Sequence, residues 1–557
     1  MVAAASGALL LSLGIGFAAR VLAQPAAAPP PASPPPAAES AQPTVVPAQP
    51  GAVEHILCSD PASPVALGSA QWNGWGRGVE NTRYQPEPAI RATDVARLAL
   101  KWAFGYPGNS VLGQPTIVDG RVFVASSTGR VYALDARSGC TYWSFDAAAG
   151  VAGAIAIAEL GAPRVIAPKK VKRGRRGKRG QTNAHLEVQK PPSAAFFGDE
   201  RGTVYAIDAE KGTLLWKTQV DSHPLARIRG TPTLYLDRLY VAVGSSEAQA
   251  AKTPGYACCT FRGSVASLDI ATGRMLWHTY LVSEEPRPLA TPGQFGPAGV
   301  AIESAPTIDS GRGLVYVATG DAHPVESNAD AVVALGLADG KVRWARQLLD
   351  PDADTSEFTA SPILRSLASG KQVVIAGQRS GTVYAIDPDR DGEILWQTKA
   401  SDSRMAGAID WGPAADHHTL YVPLAGVDAK TGAVAGSLTA IDIRNGVKRW
   451  QIAPPAPACS FAGDCPHAEA QAATVIPGAA FAGSTDGHLR AYSTIDGKVL
   501  WDYDTAKDFV TVNRVPARGG SLDHGGPTIV NGVVYLNSGG GEAHPGNVLL
   551  AFSVDGK

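Results

Sequence analysis

Two cysteines stand side by side in ACCTFRGSV, residues 257–265, of a 557-residue chain that has six cysteines in all. Neighbouring α-carbons across a trans peptide lie about 3.8 Å apart, whereas an unstrained disulfide spans roughly 4.4–6.8 Å. A Cys258–Cys259 bridge is therefore a strained ring, of a kind kept where it does something. The other reading is that each cysteine pairs elsewhere or stays a buried thiol, and these two residues alone leave both open.

A second set of candidates recurs at fixed places. Three positions before the proline that opens each of several apolar strands stand Arg229, Glu303, Thr359, Asp410 and His524. The loops after the following strands supply Glu247 in GSSE, Asp321 in GDAH, Arg379 in GQRS and Asp486 in GSTD. In an up-and-down sheet the start of one strand and the loop after its return partner share a face. These charged groups are thus expected at one end of a common channel. Carboxylates facing two arginines suit a hard cation beside an anionic ligand.

The elements that must position them are written as a repeat. GRVYALDARSGCTYW at 129–143 returns as GTVYAIDAEKGTLLW at 202–216, GTVYAIDPDRDGEILW at 381–396 and GHLRAYSTIDGKVLW at 487–501, with further copies between. Each copy reads as strand, tight Asp/Gly turn and strand. A second hairpin, such as SAPTIDSGRGLVYVATG at 304–320, separates the copies. Four strands per unit at a period of about 50 residues describe a propeller blade. The count predicts an all-β, eight-bladed β-propeller. The last copy, at 546–557, lacks its final strand, and LALKWAFG at 98–105 is an unclaimed one, so the ring is expected to close by joining the N- and C-terminal strands. Eight of the eleven tryptophans, Trp102, Trp143, Trp216, Trp277, Trp344, Trp396, Trp450 and Trp501, then share one blade position and read as packing.

Composition agrees with a turn-rich β protein: 61 Gly, 42 Pro and only 18% charged residues. A net charge of −1 gives no reason to expect nucleic acid or an anionic membrane as partner. The chain is expected to divide into a signal peptide at 1–23, a Pro/Ala-rich linker at 24–57 and the propeller at 58–557. Export to the periplasm follows, as does a chain with no membrane span. A basic insertion at 168–193 begins with PKKVKRGRRGKRG and reads as a solvated loop. Cys459 with Cys465, and Cys58 with Cys140, are the expected further disulfides, although sequence alone does not fix the connectivity.

WNGWGRGVENTRYQPEPAIRATDVARLALKWAFG at 72–105, CCTFRGSVASLDIATG, AGQRSGTVYAIDPDRDGEILWQT at 376–398 and VPARGGSLDHGGPTIVNGVVYLNSGGG at 515–541 resemble the pyrroloquinoline quinone (PQQ)-dependent alcohol dehydrogenases, polyvinyl-alcohol dehydrogenases most of all. The resemblance implies a quinoprotein alcohol dehydrogenase-like propeller that oxidises a secondary or polymeric alcohol with PQQ and Ca2+. It implies that Cys258 and Cys259 are bridged and form a platform against the quinone. It places Glu247 among the metal ligands, Arg262 and Arg379 at the cofactor, and Glu357 as the general base. Three departures stand out. No CxxCH motif for covalent haem c occurs, so a separate cytochrome c is the expected electron acceptor. Ala322 stands where the family has an asparagine ligand, which leaves Asp321, Glu326 and Asn328 as the candidate substitutes in the metal site. Glu303 stands where a tryptophan stacks on PQQ, leaving Trp411 as the candidate aromatic. The alternative reading is a non-catalytic periplasmic propeller serving as a binding or scaffold protein.

Overall fold

The computed structural model describes residues 57–59, 64–68, 71–108, 113–161, 164–166, 187–189, 191–323, 328–350, 355–401, 405–406, 409–428, 434–455, 468–541 and 544–557. The expected signal peptide, nearly all of the linker, most of the basic insertion, and Cys459 and Cys465 lie outside these residues.

Among the described residues, eight antiparallel sheets carry four or five strands each. They follow one another along the chain as blades 1 to 8, beginning with residues 116–146 and ending with 528–554. The hydrophobic core is a set of eight clusters, each shared by two consecutive blades. Ile117, Tyr132, Phe104 and Leu549 join blade 8 to blade 1 and complete the ring. This division explains the strand compositions. The third strand of blade 2, Thr203–Asp208, is packed on both faces and reads TVYAID without polar alternation. Its outer neighbour, Leu214–Gln219, has one exposed face and alternates.

The ring closes as expected. Leu98–Gly105 pairs antiparallel with Val548–Val554, matching Leu98 with Val554 and Gly105 with Val548. The repeated tryptophans tie blade to blade. Trp143 Nε1 donates to the Ala209 carbonyl of the next blade at 3.1 Å, and Trp501 closes the circle on the Leu98 carbonyl at 3.0 Å. The turn glycine beneath each indole is required. Gly212 has φ +69°, and a Cβ there would lie 2.7 Å from Trp143. Trp344 is the exception, since its Nε1 is buried without a partner. The turn that would receive it, DPDRDG, is one residue longer than its counterparts.

Residues 72–85 form an element that the repeat does not announce. Trp72 pairs with Ile117 of blade 1, and the Asn73 side chain exchanges two hydrogen bonds with the Ile157 backbone of blade 2. The carbonyls of Val79, Glu80, Thr82 and Arg83 then accept from Ile308, Leu364, Ala415 and Val475 of blades 4 to 7. Gln85 Nε2 reaches the Ile529 carbonyl of blade 8 at 2.9 Å. The segment therefore circles the channel and lays a floor across it. Arg83 is its hub, 1% exposed, donating to the Ala473 carbonyl at 2.6 Å and the Trp75 carbonyl at 2.9 Å, with its guanidinium 4.6 Å from the Trp75 ring.

Candidate active site

Above this floor, Trp75, Arg229, Glu303, Thr359, Trp411 and Gly525 line a cavity of about 330 Å3, its open mouth included. Three of the five positions chosen by their spacing from a proline are thus in one wall, and the other two flank it. Asp410 precedes Trp411, and the His524 ring packs on that indole at 4.9 Å. Trp75 and Trp411 stand 6.4 Å apart with planes tilted by 40°. The Arg229 guanidinium lies 5.7 Å from the Trp411 ring. Two buried atoms in this lining, Arg229 Nε and Glu303 Oε2, have no hydrogen-bond partner. Buried polar atoms are ordinarily satisfied; the Arg229 donor, 3.7 Å from Glu200 Oε1, and the two indoles suit an anionic planar ligand, whereas the Glu303 oxygen is an acceptor and calls for a donor.

Beside it runs a row of charged groups from three blades. Arg379 Nη1 donates to Glu357 Oε1, and Arg379 Nε lies 2.8 Å from Asp410 Oδ1. The Arg379 N–H also holds the Glu357 carbonyl, at 3.0 Å, which fixes the two loops of blade 5 against each other. Desolvation pushes the Asp410 carboxyl up to about 6 despite the opposing pull of Arg379, with Glu357 and then Asp523 adding to the rise. Asp523 in turn pairs with His524, Oδ1 to Nδ1, at 2.6 Å. The row Glu357–Arg379–Asp410–Asp523–His524 brings together the expected base and one expected arginine.

The cysteine loop is a separate element and does not contribute to this lining. Cys258 and Cys259 are disulfide-bonded across a cis peptide, so of the two readings the bridge is the one observed. Their backbones pair with the 293–295 segment: Cys258 N–H to Gly293 O at 3.0 Å and Phe295 N–H to Cys258 O at 2.7 Å. Glu247, 3% exposed, accepts from the backbone N–H of Thr260 at 2.9 Å and of Phe261 at 2.8 Å, and from the Tyr256 hydroxyl at 3.0 Å. Arg262 turns toward the outer strand. Its guanidinium lies 4.0 Å from the Tyr280 ring and 3.9 Å from Glu285. Cys58 is bonded to Cys140.

A family model described as "Glucose/ethanol/alcohol dehydrogenase, beta-propeller domain" matches residues 72–407, and one described as "Outer membrane protein assembly factor BamB" matches 328–555. The chain is 40% identical over 537 residues to a polyvinylalcohol dehydrogenase of a Pseudomonas species, covering 90% of this chain and 80% of that one. It is 38% identical over 546 residues to the polyvinylalcohol dehydrogenase of Sphingopyxis sp. strain 113P3, covering 90% and 79%. The chain belongs to the PQQ-dependent alcohol dehydrogenase family. In fold it resembles the quinohemoprotein alcohol dehydrogenase from Comamonas testosteroni, with a TM-score of 0.61 at 17% identity over 88% of this chain and 81% of that one.

In this dehydrogenase Glu303 does not replace the stacking tryptophan in function. Its Oε1 accepts from Arg227 Nη2 at 3.0 Å and from the Ser245 N–H at 3.2 Å, so it ties the wall together. The aromatic surface comes instead from Trp411, which the sequence singled out, and from Trp75, which it did not. WNGWGRG marked Trp75 only as part of a family signature, because its place beneath the cavity depends on the floor segment crossing all the blades.

The lining fits PQQ, a planar anionic quinone. A calcium site is not assembled in the same way. Both carboxylate oxygens of Glu247 already accept hydrogen bonds, and no set of three His, Cys, Asp or Glu groups among the described residues could hold a metal ion. Asp321 lies instead near Asp330, a residue the sequence did not single out. Asp330 is 9% exposed, and its Oδ1 is buried without a partner. Burial, then Asp321 and Glu357, push its carboxyl up to about 6. Glu326 lies outside the described residues, and Asn328 is spent on the Leu281 carbonyl at 2.7 Å. Asp486, expected at the mouth, is fully buried in blade 7 and paired with Arg490 at 2.8 Å.

Proposed function

We propose that this dehydrogenase oxidises secondary or polymeric alcohols, as its polyvinylalcohol dehydrogenase relatives suggest, and passes the electrons to a separate cytochrome c in the periplasm. The observation that carries the reading is the cavity lined by Trp75, Trp411 and Arg229, whose buried Nε makes no hydrogen bond, beside the Glu357–Arg379 pair. When bound, PQQ supplies the two-electron acceptor. Trp411 and Trp75 would offer aromatic faces to its ring, and Arg229 would take a carboxylate. The bridged cysteines would form a platform for the ring, as the family resemblance implies, with Arg262 held beside their loop by Tyr280. Arg379 would place positive charge at an oxygen that gains electron density. Glu357 would hold Arg379 in place and receive protons there. The expected Ca2+, with Glu247 or Asp321 as ligands, enters no step. No helix among the described residues is long and apolar enough to cross a membrane. Export rests on the N-terminal sequence.

The test is a PQQ titration of the purified protein, with calcium and with chelator, read by quenching of tryptophan fluorescence and followed by alcohol oxidation with a dye acceptor. Saturable binding and turnover of a secondary alcohol are expected. A folded protein that binds no PQQ in either condition would overturn the reading.

A further inference from the structure

His524 has the geometry of an oriented imidazole. Its Nδ1 lies 2.6 Å from Asp523 Oδ1. A carboxylate accepts, so the ring proton sits on Nδ1 and the lone pair is left on Nε2. Among the described residues Nε2 makes no hydrogen bond. The ring is clamped on Trp411, which lines the cavity, and its side chain is 16% exposed. Asp523 is its only ion-pair partner among the described residues. The charged groups around it are Asp523 on its own segment, Asp410 and Arg379 behind Trp411, and Arg229 on the same indole. Glu357, by contrast, has an oxygen committed to Arg379. In the charged row, His524 presents its Nε2 lone pair beside the cavity-lining Trp411, whereas Glu357 and Asp410 each share an oxygen with Arg379.

We propose that His524, oriented by Asp523, is a catalytic proton acceptor of this site and receives the hydroxyl proton of the alcohol. The proposal rests on the quinone-dependent reading above. The hydroxyl O–H bond breaks, its proton passing to Nε2 and its electron pair becoming the second C–O bond of the carbonyl product. The carbinol C–H bond breaks with its pair going to the ortho-quinone, which is the oxidant and is reduced by two electrons. Asp523 stabilises the imidazolium and keeps the tautomer, the division of labour of oriented histidine bases generally.

The test compares the wild-type protein with His524→Ala, His524→Gln and Asp523→Asn. PQQ affinity is read by fluorescence, and kcat and KM are read on a secondary alcohol with a dye acceptor. All four proteins are expected to bind PQQ alike. The His524 variants should lose about 100-fold or more in kcat with little change in KM. Added imidazole should restore part of the activity of His524→Ala and none of that of His524→Gln, whose side chain fills the space. Asp523→Asn, which no longer holds the ring proton on Nδ1, should also lower kcat, by up to the loss seen in the His524 variants. Variants that bind PQQ and keep kcat within about twofold of wild type would overturn the proposal. So would a loss confined to PQQ affinity, which would make His524 a cofactor contact. Failure of the wild-type protein itself to bind PQQ would instead overturn the parent reading, and this proposal with it.

Discussion

The cysteine loop and the charged row are built on opposite principles. On the cysteine side every strong group is answered. Glu247 accepts two backbone N–H groups and a tyrosine hydroxyl, the cysteine backbones are bonded to the 293–295 segment, and Arg262 rests on Tyr280. On the charged side the groups are left partly unanswered. Asp410 and Asp330 are both held near 6, Arg379 serves two carboxylates, and Nε2 of His524 is open. A satisfied network rigidifies, whereas strained protonation states gather where protons are moved. On the proposed reading, the difference teaches that the cysteine loop would serve as a fixed surface and the charged row would be where protons move.

The sharpest way to break this division is Arg379→Met. The substitution leaves Glu357 and Asp410 without their shared cation. We expect kcat to fall about 100- to 1000-fold while PQQ still quenches tryptophan fluorescence. A variant with near wild-type turnover would remove the charged row from the chemistry.

Asp330→Asn tests whether the unanswered carboxylates cost stability. Its folded value is raised above the unfolded one, so the ionised form is disfavoured in the fold. The penalty is absent below the unfolded value and grows as pH rises through the folded one. A rise from 3.8 to about 6 sets an upper bound of about 3 kcal/mol, which solvent screening reduces. Asn also tolerates the φ of +48° at this position. The melting temperature should therefore rise at about pH 7 and change little near pH 4. Equal gains at both pH values would show that the effect is not electrostatic.

The smallest effect is expected from Glu247→Gln, which tests the cysteine side. An amide cannot accept at both ends, so one of the Thr260 and Phe261 N–H groups loses its partner, at about 2 kcal/mol. The loss in thermal stability should be the same in calcium and in chelator. A loss seen only in calcium would make Glu247 a metal ligand rather than an anchor of the cysteine loop.

The blades were legible because their pattern is local. A strand packed on two neighbours must be apolar throughout, an outer strand must alternate, and the turn between them needs a residue that accepts positive φ; all three are visible in GTVYAIDAEKGTLLW. The site was legible in part. Arg229, Glu303, Thr359 and Trp411 share a wall because each precedes the first strand of its blade, so a repeat in sequence becomes a ring in space. Asp486 followed the same logic and failed, because Arg490 draws its carboxylate into the blade. Arg262 matched a family motif, yet Tyr280 and Glu285 offer its guanidinium a better place outside.

By itself, then, the sequence determined the number of blades, the closing strand, and which faces of each blade are buried, since hydrophobic period and turn chemistry act over a few residues. Only the tertiary structure decided that residues 72–85 floor the channel, that Trp75 faces the cavity and that Asp330 lies near Asp321 and Glu357. It alone decided that Asp523 aims His524 at that cavity's wall. Each of these depends on contacts between groups far apart in the chain, where burial and charge are set by whatever neighbour the ring brings round, and no local pattern records that neighbour.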